Sequence, residues 1–554
     1  MSQADTENKL RTRSPDELSL QMEGLIALRE VLSEHLDRWF LSGGTLLGAY
    51  RDGDFIPWDW DVEVTVLTEE AQPKEGALLK ALLEAGFTIT SSDSSHENFK
   101  IVASGWGTEY EILGRYLAED GNGRIRLMTE VPARFFEQHE PVTFRGHTFP
   151  APSPTDDFLE ALYGDWRTPL KSADKKTYFS GTAYRKNTHS SPSARTAQIR
   201  KLLVPAQVRE FPEVGRAALD RFQSWDQELG WCNQPNVTKV DQSDRSAGTK
   251  KDAPGLAVFS TDETGSRSCR HPTEKPDVSC YGDGYCMCRD VHDHETFPWF
   301  LGDRRGTRVS NYGVGNYGLD QALLRLRRDY RNDPADTVVL AVTSITMARC
   351  VSVYRHYLEP GNLFAIKPRF RLSEQDGSLQ TVDYPLNDKH DLLRLEKYAD
   401  FFRGNDEHYS FWRRSRVNYY THQLPKKIGA RFGVTSLPAP YKTFEYEISF
   451  WRSHECLFFG MMGYYQALAD KHGFRPIFLL QHHNRSLEYL KERPSHELPW
   501  ASVLSKAADH FPGITFLDEA NIFADYPNID ELYIRSHHSA HANRMIADYL
   551  NNFL

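Results

Sequence analysis

The stretch LSGGTLLGAYRDGDFIPWDWDVEV, from Leu41 to Val64, decides how the first half of the chain is interpreted. It begins with the small-residue turn Ser42-Gly43-Gly44-Thr45, in which glycine lets the backbone approach a ligand closely and free amides can point at phosphate oxygens. Its end has strand character, and a period of two puts the side chains of Asp59 and Asp61 on one face. Neighbouring carboxylates repel each other unless a cation lies between them, and Mg²⁺ favours one or two carboxylates with substrate phosphates. The sequence therefore predicts that Asp59 and Asp61 hold Mg²⁺ or Mn²⁺.

An Asp-x-Asp pair by itself is also compatible with the solvated edge of a strand. Two neighbouring features favour the metal site here. The Gly-Gly turn lies upstream, and Ile56-Pro57-Trp58 fixes the entry to the acidic strand.

The same stretch resembles the LicD family, with the related fukutin and fukutin-related proteins, in the nucleotidyltransferase-like superfamily. The matching residues are Gly43-Gly44-Thr45-Leu46-Leu47-Gly48, Arg51, Asp54, Ile56-Pro57-Trp58-Asp59 and Asp61. The chain departs from the family pattern at Trp60, where a further Asp is common, and at Glu63, which replaces Asp. A second motif, Tyr163-Gly164-Asp165-Trp166, resembles the end of LicD domains, so the resemblance covers residues 18–179.

This resemblance implies a transferase. The reaction would move a phosphorylated small alcohol, such as phosphocholine or an alditol or glycerol phosphate, from a CDP-linked donor to a sugar hydroxyl. The acceptor would be a bacterial surface glycan or glycolipid. Asp59 and Asp61 would hold the metal against the diphosphate, and the turn from Ser42 to Thr45 would bind phosphate oxygens.

Two further residues are candidates for the same site. The resemblance gives an acidic residue on a later strand the role of base or additional metal ligand, and we predict Glu111 rather than Glu109. A solvated strand face would show the same two acids. Arg51 is a candidate phosphate contact, although an arginine beside Asp52 and Asp54 could equally form an ion pair.

Local signals predict alternating helices and strands in this first domain. A helix begins at the capping sequence Ser14-Pro15-Asp16-Glu17 and runs to about Trp39. A second helix over 74–85 leads into a strand over 87–90, strands return between 99 and 116, and a helix from 158 stops at Gly164.

Composition limits the classes of protein to consider. A chain of 554 residues is too long for one core, so two or more domains are expected. The net charge of −10 argues against a nucleic-acid-binding surface. No transmembrane segment or signal peptide is evident, which favours a cytoplasmic location. Seven cysteines, an odd number, fit free thiols better than a disulfide framework.

The C-terminal part alternates strands and helices, which predicts an α/β domain with a mostly parallel sheet. It resembles the SGNH/GDSL hydrolase family from about Gly230 onward. Gly284 stands at the nucleophile position after Asp283, Gly315 matches the glycine that lends an amide to the oxyanion hole, and His538 matches the base. Arg535 stands where the family carries the supporting Asp.

A serine hydrolase needs a hydroxyl nucleophile and an oriented histidine, so we expect a domain that keeps the fold but has lost ester hydrolysis. Alternatives are an esterase or acyltransferase that uses Cys286, Tyr285 or a differently aligned Ser, and a glycan-binding module. The predicted organisation is an N-terminal nucleotidyltransferase-like α+β domain over 1–182, a linker and helical connector over 183–229, and an SGNH-like α/β domain over 230–554.

Overall fold

The computed structural model describes most of the chain. The described residues are 11–127, 129–171, 181–183, 209–211, 219, 222, 224–241, 255–272, 274–359, 361–383, 385–410, 412–413, 443–492 and 498–554. Most of the predicted connector over 183–229 lies outside them.

The chain divides into two compact units. The first contains the described residues up to 183 together with 238–241 and 255–258. The second contains the described residues of 209–237 and 259–554. The short segments after residue 237, which the sequence places in the C-terminal domain, thus lie with the first unit.

The first unit mixes helices with a twisted sheet. Its strands are β1 (Trp39–Leu41), β2 (Asp61–Leu67), β3 (Thr88–Asp93), β4 (Lys100–Gly105), β5 (Thr108–Leu117), β6 (Gly123–Arg126), β7 (Thr129–Pro132), β8 (His139–Phe144) and β9 (His147–Pro152). Its helices are α1 (Pro15–His35), α2 (Gly43–Arg51), α3 (Thr68–Ala71), α4 (Glu75–Glu84) and α5 (Thr155–Tyr163).

Helix α1 begins at the predicted capping box. The Glu17 amide donates to Ser14 Oγ at 3.3 Å, and the Ser14 amide donates to Glu17 Oε2 at 2.8 Å. The helix ends at His35, earlier than predicted, because Trp39 already belongs to β1 and pairs with Val66 of β2.

The main sheet has the order β1-β2-β5-β4-β3, and β2 and β5 run parallel at its centre. Asp61 lies beside Glu109 and Glu63 beside Glu111, so one face of this strand pair carries four acidic residues. The other face is apolar, and its side chains are Val62, Val64, Val66, Tyr110 and Ile112. Helix α1 covers the apolar face, where Tyr110 Oη donates to the Gln21 carbonyl at 3.0 Å.

The second unit contains a five-stranded parallel sheet. Its strands are β10 (Pro276–Gly282), β11 (Arg308–Gly313), β12 (Thr337–Thr343), β13 (Arg475–Gln481) and β14 (Thr515–Asp518). Its helices are α6 (Phe297–Arg305), α7 (Leu319–Asp329), α8 (Thr346–Cys350), α9 (Ala399–Asn405), α10 (Thr443–Ser453), α11 (Glu455–His472), α12 (Asn484–Glu492), α13 (Ala501–His510), α14 (Ala520–Phe523) and α15 (Ala540–Asn551). Smaller antiparallel pairs join Trp225–Asp226 to Gly230–Trp231, Arg369–Leu372 to Leu379–Val382, and Tyr533–Ile534 to His537–His538.

Helices cover both faces of the parallel sheet, because consecutive residues of its strands are buried on opposite sides. Leu340 and Phe478 join a core cluster with α7, α10, α11 and α13, whereas Val339 and Ile477 join one with α6, α14 and α15. The strand order is β11-β10-β12-β13-β14, and all neighbouring pairs are parallel. The predicted α/β class with a parallel C-terminal sheet is confirmed.

Candidate functional site

The two predicted metal ligands lie together at the start of β2. Strand β2 begins at Asp61, so Asp59 is not part of it, in contrast to the prediction. Asp59 instead belongs to the preceding turn, where its amide donates to the Ile56 carbonyl at 2.9 Å. The two side chains still meet, because Asp59 is hydrogen-bonded to the Asp61 carboxyl, and Asp61 is only 4% exposed.

The Gly43-Gly44 pair packs directly against carboxylates. A Cβ built on Gly44 would overlap Asp59 Oδ2, and one on Gly43, whose φ is +56°, would overlap Glu63 Oε2. The glycines therefore leave room for the acids themselves.

The predicted phosphate-binding turn is the first turn of helix α2. The Gly44 amide donates to Glu63 Oε2 at 3.0 Å, and Thr45 Oγ1 accepts the Glu63 amide at 2.9 Å. A carboxylate at a helix N-terminus is stabilised by the free amides and the helix dipole, so Glu63 takes the amide that the sequence assigns to phosphate. Ser42 Oγ, in contrast, is buried and has no hydrogen-bond partner among the described residues.

Positive charge only partly offsets the negative charge of the acidic cluster formed by Asp59, Asp61 and Glu63. Burial, followed by the charge of Glu63, raises the pKa of Asp59 to about 7. The hydrogen bond with Asp61 and the charge of Arg13 act in the opposite direction.

Arg13 ties the start of α1 to the loop that carries the acids. Its Nη1 donates to the Asp59 carbonyl at 2.5 Å and to Gln21 Oε1 at 2.7 Å, and its Nη2 donates to the Trp60 carbonyl at 2.6 Å. The guanidinium therefore binds the two consecutive backbone carbonyls of Asp59 and Trp60.

Basic residues lie on the same face of the sheet. Glu111 is paired with Lys100, with Nζ and Oε1 2.7 Å apart. Burial, followed by the charge of Arg126, lowers the pKa of Arg115 to about 10, and Glu63 opposes that shift. Glu111 thus lies one strand away from Glu63 and is already neutralised by a lysine.

The second motif meets the first at this site. Burial raises the pKa of Tyr163, and the charges of Glu63, Asp59 and Asp61 raise it further. Arg51 forms a two-point ion pair with Asp52 at 2.9 and 2.7 Å, and its Nη1 reaches the Trp166 carbonyl at 3.5 Å. The structure therefore shows Arg51 in the ion pair that the sequence left as an alternative.

The donor set fits a hard divalent cation that a substrate also coordinates. In the parts of the chain that the structure describes, no group of three or more His, Cys, Asp and Glu side chains could hold a metal ion by itself. Asp59 and Asp61 supply hydrogen-bonded carboxyl groups, and burial and the charge of Glu63 raise the pKa of Asp59 although Arg13 opposes that shift. Among the described residues, the buried hydroxyl of Ser42 at the N-terminus of α2 has no hydrogen-bond partner. One or two carboxylates completed by phosphate oxygens is the usual arrangement for Mg²⁺.

A second polar cluster lies at the carboxyl edge of the parallel sheet. The strand order changes direction between β10 and β12, and open α/β sheets bind ligands in the crevice at such a point. Asp283, fully buried after β10, accepts the Thr343 amide at 3.1 Å, Thr343 Oγ1 at 2.7 Å and Arg349 Nη1 at 3.2 Å. These bonds fix the turn that carries Gly284.

The histidine that faces Gly284 is His537, not His538 as the sequence predicted. A Cβ built on Gly284 would lie 3.3 Å from His537 Nε2. His537 Nδ1 lies 2.8 Å from Oδ2 of Asp290, whose side chain is fully buried and also accepts Arg535 Nη1 at 3.1 Å. Asp290 therefore supplies the carboxylate that the sequence lacks at Arg535.

His538 points into the core, because consecutive residues of the short terminal strand face opposite sides. Its Nε2 lies 3.1 Å from Glu519 Oε1, and its ring packs against Tyr285, Phe523 and Tyr533. Its surroundings are those of a structural histidine.

Gly315, Cys286 and Tyr285, which the sequence analysis also assigned to this region, lie near Gly284 or in the turn that follows it. A Cβ on Gly315 would lie 3.3 Å from Arg289 Nη1, and one on Gly284 would lie 3.1 Å from Arg289 Cδ, so Arg289 lies between the two glycines. Burial raises the pKa of the Cys286 thiol and of Tyr285, whose hydroxyl donates to the Ser536 carbonyl. Burial therefore disfavours the ionised form of both side chains. All seven cysteines are free thiols, as expected.

Sequence reasoning missed four residues of these sites. Arg13 and Asp290 bear no local pattern, and Glu63 appeared only as a departure from the family motif. His537 was not predicted, because its neighbour His538 was chosen instead.

None of the helices in the described part of the chain combines the length and apolarity needed to cross a lipid bilayer.

Part of the first unit matches a known protein family. Residues 37–154 match the family described as LicD/FKTN/FKRP, nucleotidyltransferase domain, and they form a domain of that family. The ribitol 5-phosphate transferase FKRP of Homo sapiens is 29% identical over 142 residues, and that of Mus musculus is 28% identical. Each match covers 23% of this chain and only 28% of the relative.

Solved structures show weaker similarity to half of the chain. A G-D-S-L family protein from Desulfitobacterium hafniense DCB-2 is 11% identical with a TM-score of 0.23, covering 50% of this chain and 98% of that one. A lipase/acylhydrolase from Enterococcus faecalis is 10% identical with a TM-score of 0.25, covering 50% and 94%.

Proposed function

We propose that the first unit catalyses metal-dependent transfer of a phosphorylated small alcohol from a CDP-linked donor to a sugar hydroxyl of a surface glycan. Ribitol phosphate, glycerol phosphate and phosphocholine are the candidate groups. The LicD/FKTN/FKRP domain and the ribitol 5-phosphate transferases that share it support this reaction class.

The observation that carries the proposal is the Asp59–Asp61 pair beside the N-terminus of α2. Its carboxylates are adjacent, and the pKa of Asp59 is raised to about 7 because burial and Glu63 disfavour its charge. A buried acidic pair of this kind is stabilised when a cation binds, and a cation in turn attracts a diphosphate.

Each residue has a distinct task in this proposal. Asp59 and Asp61 would hold Mg²⁺ or Mn²⁺, which when bound stabilises negative charge on the diphosphate and on the departing CMP. Glu63 positions the first turn of α2 against the pair, and Arg13 fixes the loop of Asp59. Ser42 Oγ, which has no hydrogen-bond partner among the described residues, would donate to a phosphate oxygen. Glu111 would accept the proton of the acceptor hydroxyl if Lys100 releases it.

The test measures CMP release and metal binding on the same variants. The protein is incubated with Mg²⁺, a sugar acceptor, and CDP-ribitol, CDP-glycerol or CDP-choline. Asp59→Asn and Asp61→Asn keep side-chain shape but remove ligand charge, and each is expected to lower CMP release by roughly 10²-fold. Both should also abolish the rise in melting temperature that Mn²⁺ produces in the unaltered protein.

Asp120→Asn is the matched control, because Asp120 is an exposed turn residue of the same unit whose carboxylate accepts the nearby Asn122 amide at 3.0 Å. Its release rate and Mn²⁺ response should equal those of the unaltered protein. Full CMP release by either site variant would contradict the proposal.

A further inference from the structure

A large polar cleft lies beside the edge strand β11 of the second unit. The residues around Trp225–Asp226, the end of helix α7 and the loop at Glu263 line it. Its volume is about 1020 Å³, at the upper end of the range of about 300–1,000 Å³ for small-molecule sites. None of its described lining residues belongs to the polar cluster around Gly284, and the proposed transferase does not use it.

Ion pairs fix the floor of this cleft. Arg328 Nη1 donates to Asp226 Oδ2 at 2.7 Å, and its Nε donates to Asp329 Oδ1 at 2.6 Å. Arg325 Nε donates to the other oxygen of Asp329 at 3.2 Å, and its Nη1 donates to the Tyr312 carbonyl at 2.7 Å. Both guanidinium groups of the lining are therefore paired with carboxylates before any ligand binds.

The walls and rim, in contrast, carry polar groups that can bind a ligand. The side chains of Gln234, Glu263 and Asp383 form no hydrogen bond or ion pair within the described parts of the chain. Asn233 Nδ2 donates to the Gly313 carbonyl at 3.0 Å, which leaves its Oδ1 as an acceptor. Amides both donate and accept, and carboxylates accept, so the rim matches a ligand rich in hydroxyl groups.

The charge of the lining restricts the ligand further. Five carboxylates line the cleft and only two guanidinium groups do. The carboxylates belong to Asp226, Glu228, Glu263, Asp329 and Asp383, and the guanidinium groups to Arg325 and Arg328. This excess of negative charge repels phosphate, sulfate and carboxylate groups, so it favours an uncharged ligand.

Trp225 adds apolar surface to the polar lining. It packs partly against a core cluster, and it is also half-buried at the wall of the cleft. The ring of Tyr312 is already used, since it stacks on Tyr281 at 4.8 Å and lies 5.1 Å from the Arg325 guanidinium. An indole beside hydrogen-bonding groups suits a sugar ring, which has apolar C–H faces and a polar edge.

We propose that this cleft binds an uncharged oligosaccharide. Gln234, Glu263 and Asp383 bind its hydroxyl groups, and Trp225 packs against one sugar ring. The site retains neutral saccharide chains and rejects phosphorylated or sulfated ones. This function goes beyond the proposed transferase, because binding in the cleft needs neither a metal ion nor a CDP-linked donor.

The first experiment applies labelled full-length protein to a microarray of defined neutral, sulfated and phosphorylated oligosaccharides. EDTA is present and no CDP-linked donor is added, so the acidic site of the first unit does not contribute. Neutral oligosaccharides should be retained and their sulfated or phosphorylated forms should not. Titration with the neutral oligosaccharide that binds best should show a Kd raised about fivefold by Gln234→Ala and about tenfold by Asp383→Ala, as expected for the loss of one hydrogen bond.

Gln375→Ala and Asp509→Ala are the matched controls, because both residues are exposed in the same unit and neither lines the cleft. Their Kd values should equal that of the unaltered protein, and melting curves should show that all variants are folded. If no neutral oligosaccharide is retained, or if the cleft variants bind as tightly as the controls, the proposal is wrong.

A double variant tests the role of charge by a gain of binding. Glu263→Gln/Asp383→Asn keeps the shape of both side chains but removes their negative charge. It should retain sulfated or phosphorylated oligosaccharides that the unaltered protein rejects, most strongly at low ionic strength. Rejection of charged oligosaccharides by the double variant to the same degree would show that these carboxylates do not line the binding site.

Discussion

At the residue scale, the contact between Gly44 and Asp59 offers a sharp test of the acidic site. A methyl group on Gly44 would overlap Asp59 Oδ2, and Gly44 has no left-handed φ that would strain alanine by itself. Gly44→Ala should therefore move the carboxylate and lower CMP release by about 10²-fold, as misplacement of a reacting group by about 1 Å does. Initial rates with the best CDP-linked donor measure the effect.

Gly105→Ala is the companion variant in the same unit. A methyl group there would lie 3.4 Å from Phe87, an ordinary packing distance, so activity should be retained. Normal CMP release by Gly44→Ala would mean that Asp59 is not needed in its observed position.

Single residues also show which parts of the candidate sites could be predicted from the sequence. The closeness of Asp59 and Asp61 could be predicted from their spacing and the motif around them, although Asp59 lies in the turn before β2 and not in the strand. The choice between His537 and His538 could not, since it depends on which side of the terminal hairpin meets Gly284. The contact between Asp290 and His537 could not be predicted either, because the two residues lie 247 positions apart in the chain.

At the scale of elements, Arg13 links helix α1 to the loop before β2. Its two terminal nitrogens bind the carbonyls of Asp59 and Trp60 at 2.5 and 2.6 Å, a fork that the single ammonium group of lysine cannot reproduce. We expect Arg13→Lys to lower CMP release by roughly tenfold because the Asp59 loop loses one of its anchors.

The control for this variant is Arg11→Lys, since Arg11 forms an exposed pair with Glu17 at 2.6 Å. Exposed pairs contribute little to stability, so that variant should behave like the unaltered protein. If the two lysine variants have the same rate, the anchoring role of Arg13 is refuted.

Elements with strong local signals were predicted well, and those made by distant contacts were not. The capping box of α1 depends on four consecutive residues, Ser14 to Glu17, and is present as predicted. Helix α2 was interpreted as a glycine turn, because its N-terminus is capped by Glu63, which lies on another element. The pairing of strand β11 with β10 cannot be seen in the sequence of either strand by itself.

At the scale of the whole molecule, each unit has its own hydrophobic core. Leu28 belongs to the cluster of the first unit and Leu479 to one in the second, and both are fully buried. Replacing a buried leucine by alanine costs about 2–5 kcal/mol. Calorimetry should therefore show two unfolding transitions, of which Leu28→Ala lowers one and Leu479→Ala the other. A single transition that both variants lower equally would contradict this prediction.

The alternation of acids and apolar residues along β2 and β5 has a consequence for folding fidelity. If either strand slipped by one position, carboxylates would exchange places with valines and be forced beneath α1 without water or a counter-ion. Forms of this sheet with a shifted strand register therefore have a much higher free energy than the native form. The acidic residues of the proposed site therefore also specify how the strands of this sheet pair during folding.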